Sequence, residues 1–436
     1  MARKDRFSAS SGAWKNAASR FVARVLVRQP PQDGMILDLG PVSYLDCVVF
    51  CILLAPQLIW RAGFLETALC VLRALPFLLV QLPIEFLWDR CIVQRESRPR
   101  FLQRASVFED IVVRCVRYAF ANIPPRIGRV FFLKHVSLPF LRFRLIRHGY
   151  WRPPIYWREH RETGLKGIWL VQRPLDKVDF VLYYAHGGGF AMGSPHFYLE
   201  FLLTWLSVLS LSGYNNPAIF ALEYTLVPDA MFPAQVQETI RGYEHVLTVA
   251  RDPSIVCVSG DSAGATLISS LLLHLGSKEA WEVSREGTRD RSRLRKPALA
   301  LLISPWMTLV SIRHENTASD YLGAQPLHQY GMRFAGAKIS LDDPLASPGC
   351  CKDEAWWKRS SPSKGMIINY GQDEVLARDI EDSVKTWRHA GVNVESRCEP
   401  GGIHAWPVAS IFLSGSRDER LKALKAMTAD IRERVH

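Results

Sequence analysis

The sequence predicts an α/β architecture, a mostly parallel sheet with helices on both faces, for the part of the chain from about residue 166 onward. Three observations carry this. Short apolar, β-branched segments recur at 179–185, 217–223, 255–259, 298–304, 364–370 and 393–398, and each reads as a strand. Helix-like segments alternate with them, the order that generates a parallel sheet. The later segments end in loops rich in glycine or acidic residues, and α/β sheets carry their functional groups beyond the carboxyl ends of the strands.

The most informative segment runs from Ile255 to Val258 into Gly260-Asp261-Ser262-Ala263-Gly264, and Ala265 to Leu273 continue as an apolar helix. Strand, tight turn and helix around G-x-S-x-G is the context of a nucleophile elbow. Gly260 and Gly264 have a mechanical reason: Ser262 must stand on a strained turn, and side chains two positions away would strike the adjoining strand and helix. A second segment lies 76 residues upstream of Ser262, where the strand-like run Asp179 to Ala185 ends in His186-Gly187-Gly188-Gly189-Phe190. Consecutive glycines after a buried strand let backbone N–H groups point into a site, as in an oxyanion hole. A phosphate loop is the competing reading, but no Gly-Lys-Ser/Thr follows and no G-x-G-x-x-G spacing is present.

As a set these motifs resemble the hormone-sensitive-lipase family of α/β-hydrolases, which includes arylacetamide deacetylases and fungal steryl acetyl hydrolases. Tyr224-Thr225-Leu226-Val227-Pro228-Asp229 and Phe232-Pro233-Ala234 add to the resemblance, which covers roughly 165–436. Asp229 stands where the family usually has Glu, a departure that touches a structural contact. The resemblance implies an α/β-hydrolase fold with N-terminal helices capping the site. It implies oxyanion donors at Gly188, Gly189 and Ala263, and a His186 that shapes the glycine loop. Plant gibberellin receptors look like this family with the catalytic histidine lost, which makes a non-catalytic receptor the alternative from another class. Amide or lipid hydrolysis by the same residues is the closer alternative.

A serine hydroxyl needs a base, and in this fold the partners follow in the order Ser, acid, His. Of the 12 histidines, His404 lies in a loop just after the last candidate strand, behind Gly401-Gly402. Two adjacent carboxylates, Asp373 and Glu374, follow the strand before it. Neighbouring side chains of an extended segment point apart, so only one can face His404. The family's Asp-x-Leu spacing onto Leu376 selects Glu374; Asp373 offers the family's usual residue type at the wrong spacing. The expected chemistry is hydrolysis of a carboxylic ester, a short acyl or acetyl group on an apolar alcohol, through an acyl-enzyme with no metal or organic cofactor.

The formal net charge of +12 sits in the first 150 residues, which hold 22 Lys/Arg against 10 Asp/Glu, while the rest balances. A catalytic part without excess basic charge argues against a nucleic-acid partner. Residues 1–41 form a basic tail. Within 42–90, Cys47 to Trp60 is a charge-free run containing Pro56, and Thr67 to Trp88 is apolar except for Arg73 and Glu85. Neither is an uninterrupted stretch of about 20 apolar residues, so neither reads as a clean span. Arginines flank the pair on both sides, which suits a re-entrant hairpin or interfacial helices with both ends on the cytosolic face. A membrane surface is therefore the expected partner beside the small ester, and the endoplasmic reticulum with a cytosol-facing catalytic domain the expected location. Residues 91–165 are assigned to cap and linker helices and 166–436 to the catalytic domain, with 284–296 as a solvated loop. The nine cysteines show no regular disulfide framework or metal spacing, and no Asn-x-Ser/Thr sequon occurs.

Overall fold

A computed structural model describes residues 35–277, 295–337 and 339–435; the basic tail as far as residue 34 and most of the 284–296 loop lie outside the described residues. Eight strands form one sheet in the order β1-β2-β4-β3-β5-β6-β7-β8. They are β1 (Tyr156–Glu162), β2 (Leu165–Val171), β3 (Phe180–Ala185), β4 (Pro217–Leu222), β5 (Val256–Asp261), β6 (Leu299–Ile303), β7 (Met366–Gly371) and β8 (Val394–Glu399). β1 and β2 pair antiparallel at one edge, and β4 to β8 run parallel with β3.

All six strands read from the sequence are present. The β1–β2 hairpin was not read, and it moves the start of the sheet to Tyr156, ten residues ahead of the 166 boundary. Its first strand, Tyr-Trp-Arg-Glu-His-Arg-Glu, is an edge with mostly charged residues, so it lacks the apolar run that marks the buried strands. Leu37 and Leu39, at the end of the stretch assigned to the tail, are core residues as well.

Alternation along β3 shows how the sheet buries both faces. Phe180, Leu182 and Tyr184 join the core with α5 (Leu199–Leu211) and the C-terminal helix Arg417–Arg434. Val181, Tyr183 and Ala185 join the other core, with Ala234–Ala250, Ala263–Leu275 and Ala377–His389. Strands covered on both faces read as continuous apolar runs, which is why they were legible.

Ahead of the sheet stand α1 (Tyr44–Ala62), α2 (Phe64–Ile92), α3 (Val107–Asn122) and α4 (Lys134–Arg147). α1 and α2 continue beyond the two apolar runs, so Pro56 and Arg73 interrupt neither helix. At 19 and 29 residues both are long and apolar enough to cross a membrane, where about 20 residues suffice. Their outer faces are exposed and apolar: Trp60 is 82% and Leu79 69% exposed. Their inner faces are held. Leu54 packs with Val130 and Val136, Phe77 stacks on Tyr118, and Arg114 bonds to Asp89 and Asp110 at 2.6 and 2.7 Å.

Arg144 fastens α1 to the hydrolase body. Its guanidinium makes a bidentate pair with Glu200 of α5, at 2.7 and 2.8 Å, and reaches Asp46 of α1 at 3.1 Å and the Gly40 carbonyl at 2.7 Å. The three charged side chains are almost fully buried. Removing the cation leaves Glu200 without a counter-charge and Asp46 with Arg147 alone, at 2.9 Å, and breaking a buried pair in this way costs about 3–5 kcal/mol. Arg144→Met is therefore expected to lower the unfolding free energy by about that amount, read by denaturant titration.

Candidate active site

The site is assembled at the carboxyl ends of β3, β5, β6 and β7 and in the loop after β8. Ser262 follows β5 with φ 51° and ψ −121°, a left-handed position that strains a residue with a Cβ. Its N–H is tied to the Ile303 carbonyl at 3.0 Å, and the helix Ala263–Leu275 starts at the next residue. A Cβ on Gly260 would lie 2.7 Å from the Ala185 carbonyl, and one on Gly264 would run into the same carbonyl. The elbow's glycines are thus demanded by the neighbouring strand β3.

That strand leads directly into the glycine loop. Gly188 and Gly189 have φ of 118° and 60°, and neither N–H has an acceptor among the described residues. Asp261 connects the two motifs: Oδ1 accepts from the Gly187 N–H at 2.9 Å and the Tyr184 hydroxyl at 2.7 Å, and Oδ2 accepts from the Tyr198 hydroxyl at 2.7 Å. Burial pushes its pKa up to about 6, opposed by these donors. The His186 ring stacks on Tyr224 at 4.3 Å, with Nδ1 2.7 Å from the Gly187 carbonyl, and burial lowers its pKa to about 4. This neutral ring braces the loop. Asp229, the departure from the family pattern, forms an exposed ion pair with Arg129.

The two candidate acids diverge. Asp373 turns to the Ser319 hydroxyl, 2.9 Å from Oδ2. Glu374 turns inward, with Oε2 3.8 Å from His404 Nδ1. The same oxygen accepts from the Ser304 hydroxyl at 2.6 Å and the Gly371 N–H at 3.1 Å. A separation of 3.8 Å is outside hydrogen-bond range, and resting sites of this kind tighten when substrate binds. Among the described residues Glu374 Oε1 and His404 Nδ1 are both buried without a hydrogen-bond partner, so each retains capacity for the other. Ser262 Oγ makes no hydrogen bond among the described residues. Burial favours the uncharged form of both groups: Glu374 is pushed well above the usual carboxylate range, aided by the charge of Asp320, and His404 falls to about 3.

Two contributors went unread in the sequence. Ser304, also at positive φ, bridges Glu374 to the Ala405 N–H at 2.9 Å, and its place at the end of a predicted strand was the available signal. Asp320 is fully buried, although Asn-Thr-Ala-Ser-Asp-Tyr looks like a solvated turn. Among the described residues no cluster of His, Cys, Asp or Glu has the arrangement of a metal site.

The sequence model of a family described by the α/β-hydrolase fold matches residues 182–408. An acetyl-hydrolase of Streptomyces hygroscopicus is 28% identical over 240 residues, covering 54% of this chain and 70% of that protein. Neutral cholesterol ester hydrolase 1 of Pongo abelii is 30% identical over 140 residues, 30% of each chain, so the chain spans under a third of that relative. A crystal structure of an esterase from the bacterial hormone-sensitive lipase family aligns with a TM-score of 0.55 at 22% identity, covering 76% of this chain and 99% of that one. An identity of that size speaks for the fold. The chain belongs to the hormone-sensitive-lipase-like family of α/β-hydrolases.

Proposed function

We propose that Ser262, His404 and Glu374 act as nucleophile, base and orienting acid in hydrolysing a carboxylic ester through an acyl-enzyme. The chain is a carboxylesterase. The observation that supports this triad most is the inward Glu374 carboxylate beside His404 Nδ1. Engaging Nδ1 leaves Nε2 to take the serine proton. Ser262 Oγ attacks the ester carbonyl, and the N–H groups of Gly188, Gly189 and Ala263 receive the oxyanion. His404 then protonates the departing alcohol, and water repeats the attack with His404 as base. Buried surroundings strengthen each of these interactions as charge develops. An acetyl or other short acyl group on an apolar alcohol is the proposed substrate class, in keeping with the relatives named for acetyl and cholesterol esters.

We also place the enzyme on a membrane through α1 and α2, whose apolar outer faces fit a bilayer or its interface. Both chain ends then stay on the cytosolic side, with the endoplasmic reticulum as the proposed membrane.

The test is hydrolysis of p-nitrophenyl esters of increasing acyl length. Wild type is expected to cleave short esters and Ser262→Ala to be inactive, whereas a folded but inert wild type overturns the reading. In the same assay Glu374→Gln is expected to lose on the order of 10⁴ in turnover, as other orienting acids do, and Asp373→Asn far less. A pH profile tests the electrostatics. Glu374 must be ionised while imidazole carries the proton, and its raised pKa means that it is protonated early as pH falls. The acid-side loss of kcat/KM is therefore expected well above the ordinary 4.5 of a glutamate, as a property of the Glu374–His404 pair. For the membrane, replacing Trp60, Leu65 and Leu79 together by Glu is expected to move the protein from the membrane pellet to the supernatant. An unchanged pellet fraction rejects α1 and α2 as the anchor.

A further inference from the structure

We propose that Asp320 is a positioning residue for the hydrolysis, one carboxylate that sets the acid and histidine loops relative to each other; this rests on the triad proposed above. The loop from Ser304 to Gly323 connects β6 to the helix Ala324–Ala335 and brings Asp320 beneath both loops. Oδ1 accepts from the His404 N–H at 3.0 Å and the Tyr321 N–H at 2.8 Å. Oδ2 accepts from the N–H of Val375, the residue after Glu374, at 2.8 Å. The side chain is fully buried, so no water competes for these three bonds. A single rigid group thus fixes the backbone at His404 and beside Glu374, residues from separate loops that must meet within a few tenths of an ångström.

The choice of a carboxylate has a chemical reason. Three N–H donors converge, and an ionised carboxylate is an acceptor at both oxygens. An amide has one accepting oxygen, so Asn must turn its NH₂ toward at least one of the donors. Burial raises the Asp320 pKa, donation from the N–H groups opposes it, and the balance stands at about 6. The same charge disfavours ionisation of Glu374. The other titratable groups that act on this pocket are His404 at 3.8 Å from Glu374, Tyr321, Cys398 and Arg117. Arg117 comes from α3 and secures the loop from outside, donating to the Asp320 carbonyl at 2.7 Å and the Ala318 carbonyl at 2.6 Å. The T-shaped contact of Tyr321 with the His404 ring, centroids 5.8 Å apart, completes the support.

The experiment compares full-length wild type, Asp320→Asn and Arg117→Met with p-nitrophenyl butyrate. Active sites are counted by labelling with a fluorophosphonate. Asp320→Asn is expected to lower kcat per labelled site by about 100-fold, the effect of a misplacement near 1 Å, with KM within about twofold. It is also expected to move the acid limb of the pH profile to lower pH, because the charge that raises the Glu374 pKa is gone. A purely structural role would reduce the number of labelled sites and leave the limb in place. Arg117→Met, which removes a cation acting on Asp320 from outside the buried pocket, is expected to lower kcat about tenfold with KM unchanged, a smaller displacement of the same kind. Normal kcat per site in Asp320→Asn, or an unmoved limb, overturns the proposal. Should Asp320→Asn not fold, normal kcat per site in Arg117→Met overturns it. Absence of labelling in wild type would instead fault the serine nucleophile, so the two failures are distinguishable.

Discussion

The close approach of two backbone turns, the elbow at 260–264 and the glycine loop at 187–189, is the constraint on which the site depends. β3 and β5 are hydrogen-bonded neighbours, so the loops leaving their carboxyl ends start side by side. A side chain at Gly187 would strike the Asp261 carboxylate, and one at Gly264 the Ala185 carbonyl. With glycine at these positions the backbones come together, and the Asp261 carboxylate fills the space with three donors from three segments. Asp261 belongs to the elbow, and through the Gly187 N–H it is bonded to the glycine loop. The elbow and the glycine loop are therefore one rigid unit, the arrangement that electrostatic preorganisation requires of the proposed nucleophile and oxyanion donors.

This unit was legible in the sequence because its physics is local. Glycines that must admit another backbone, and a serine between a β-branched run and an apolar helix, leave a pattern within five residues. The parallel strands were legible for a similar reason, since burial on both faces demands an unbroken apolar run. Residues whose role is set by distant partners were harder. Spacing to Leu376 favoured Glu374, and the fold separates it from Asp373 by turning one inward and the other to Ser319. Asp320 is surrounded in sequence by polar residues suited to solvent, and its three acceptor bonds exist only once separate loops converge. β1 was missed because an edge strand with charged side chains has no need of the apolar pattern.

The site buries three carboxylates of two kinds, and their partners distinguish them. Asp261 and Asp320 each receive three hydrogen bonds from outside their own side chains, and burial still raises both to about 6. Glu374 receives bonds on one oxygen only, leaving Oε1 unpartnered next to an equally unpartnered His404 Nδ1. Satisfied groups hold geometry, and the unsatisfied pair retains capacity for the hydrogen bond that would orient the proposed base. A buried group left incomplete is costly unless the reaction completes it, so the contrast agrees with the roles assigned to them.

The apolar N-terminal helices are joined to this chemistry by more than proximity. Their outer faces are exposed and apolar and their inner faces are held by arginines, so they form a layer over the hydrolase. From the segment that follows α2, Arg100 pairs with Gln372, two residues before Glu374, and Arg104 donates to the Pro400 carbonyl at 3.1 Å, four residues before His404. Gly401, at φ 67°, admits the Arg100 side chain closely, since a Cβ there would lie 3.0 Å from that of Arg100. Arg117 on α3 holds the loop of Asp320. Each triad loop apart from the elbow thus has a guanidinium from the N-terminal region on its outer side. Arginine suits this task because its planar fork reaches backbone carbonyls without needing a buried counter-charge. Phe77 of α2 stacks on Tyr118 of α3, the helix that also carries Arg117, so α2 and the loop of Asp320 share one support. The N-terminal region thus contacts both loops that carry the proposed acid and histidine, besides presenting the apolar faces proposed to meet a membrane.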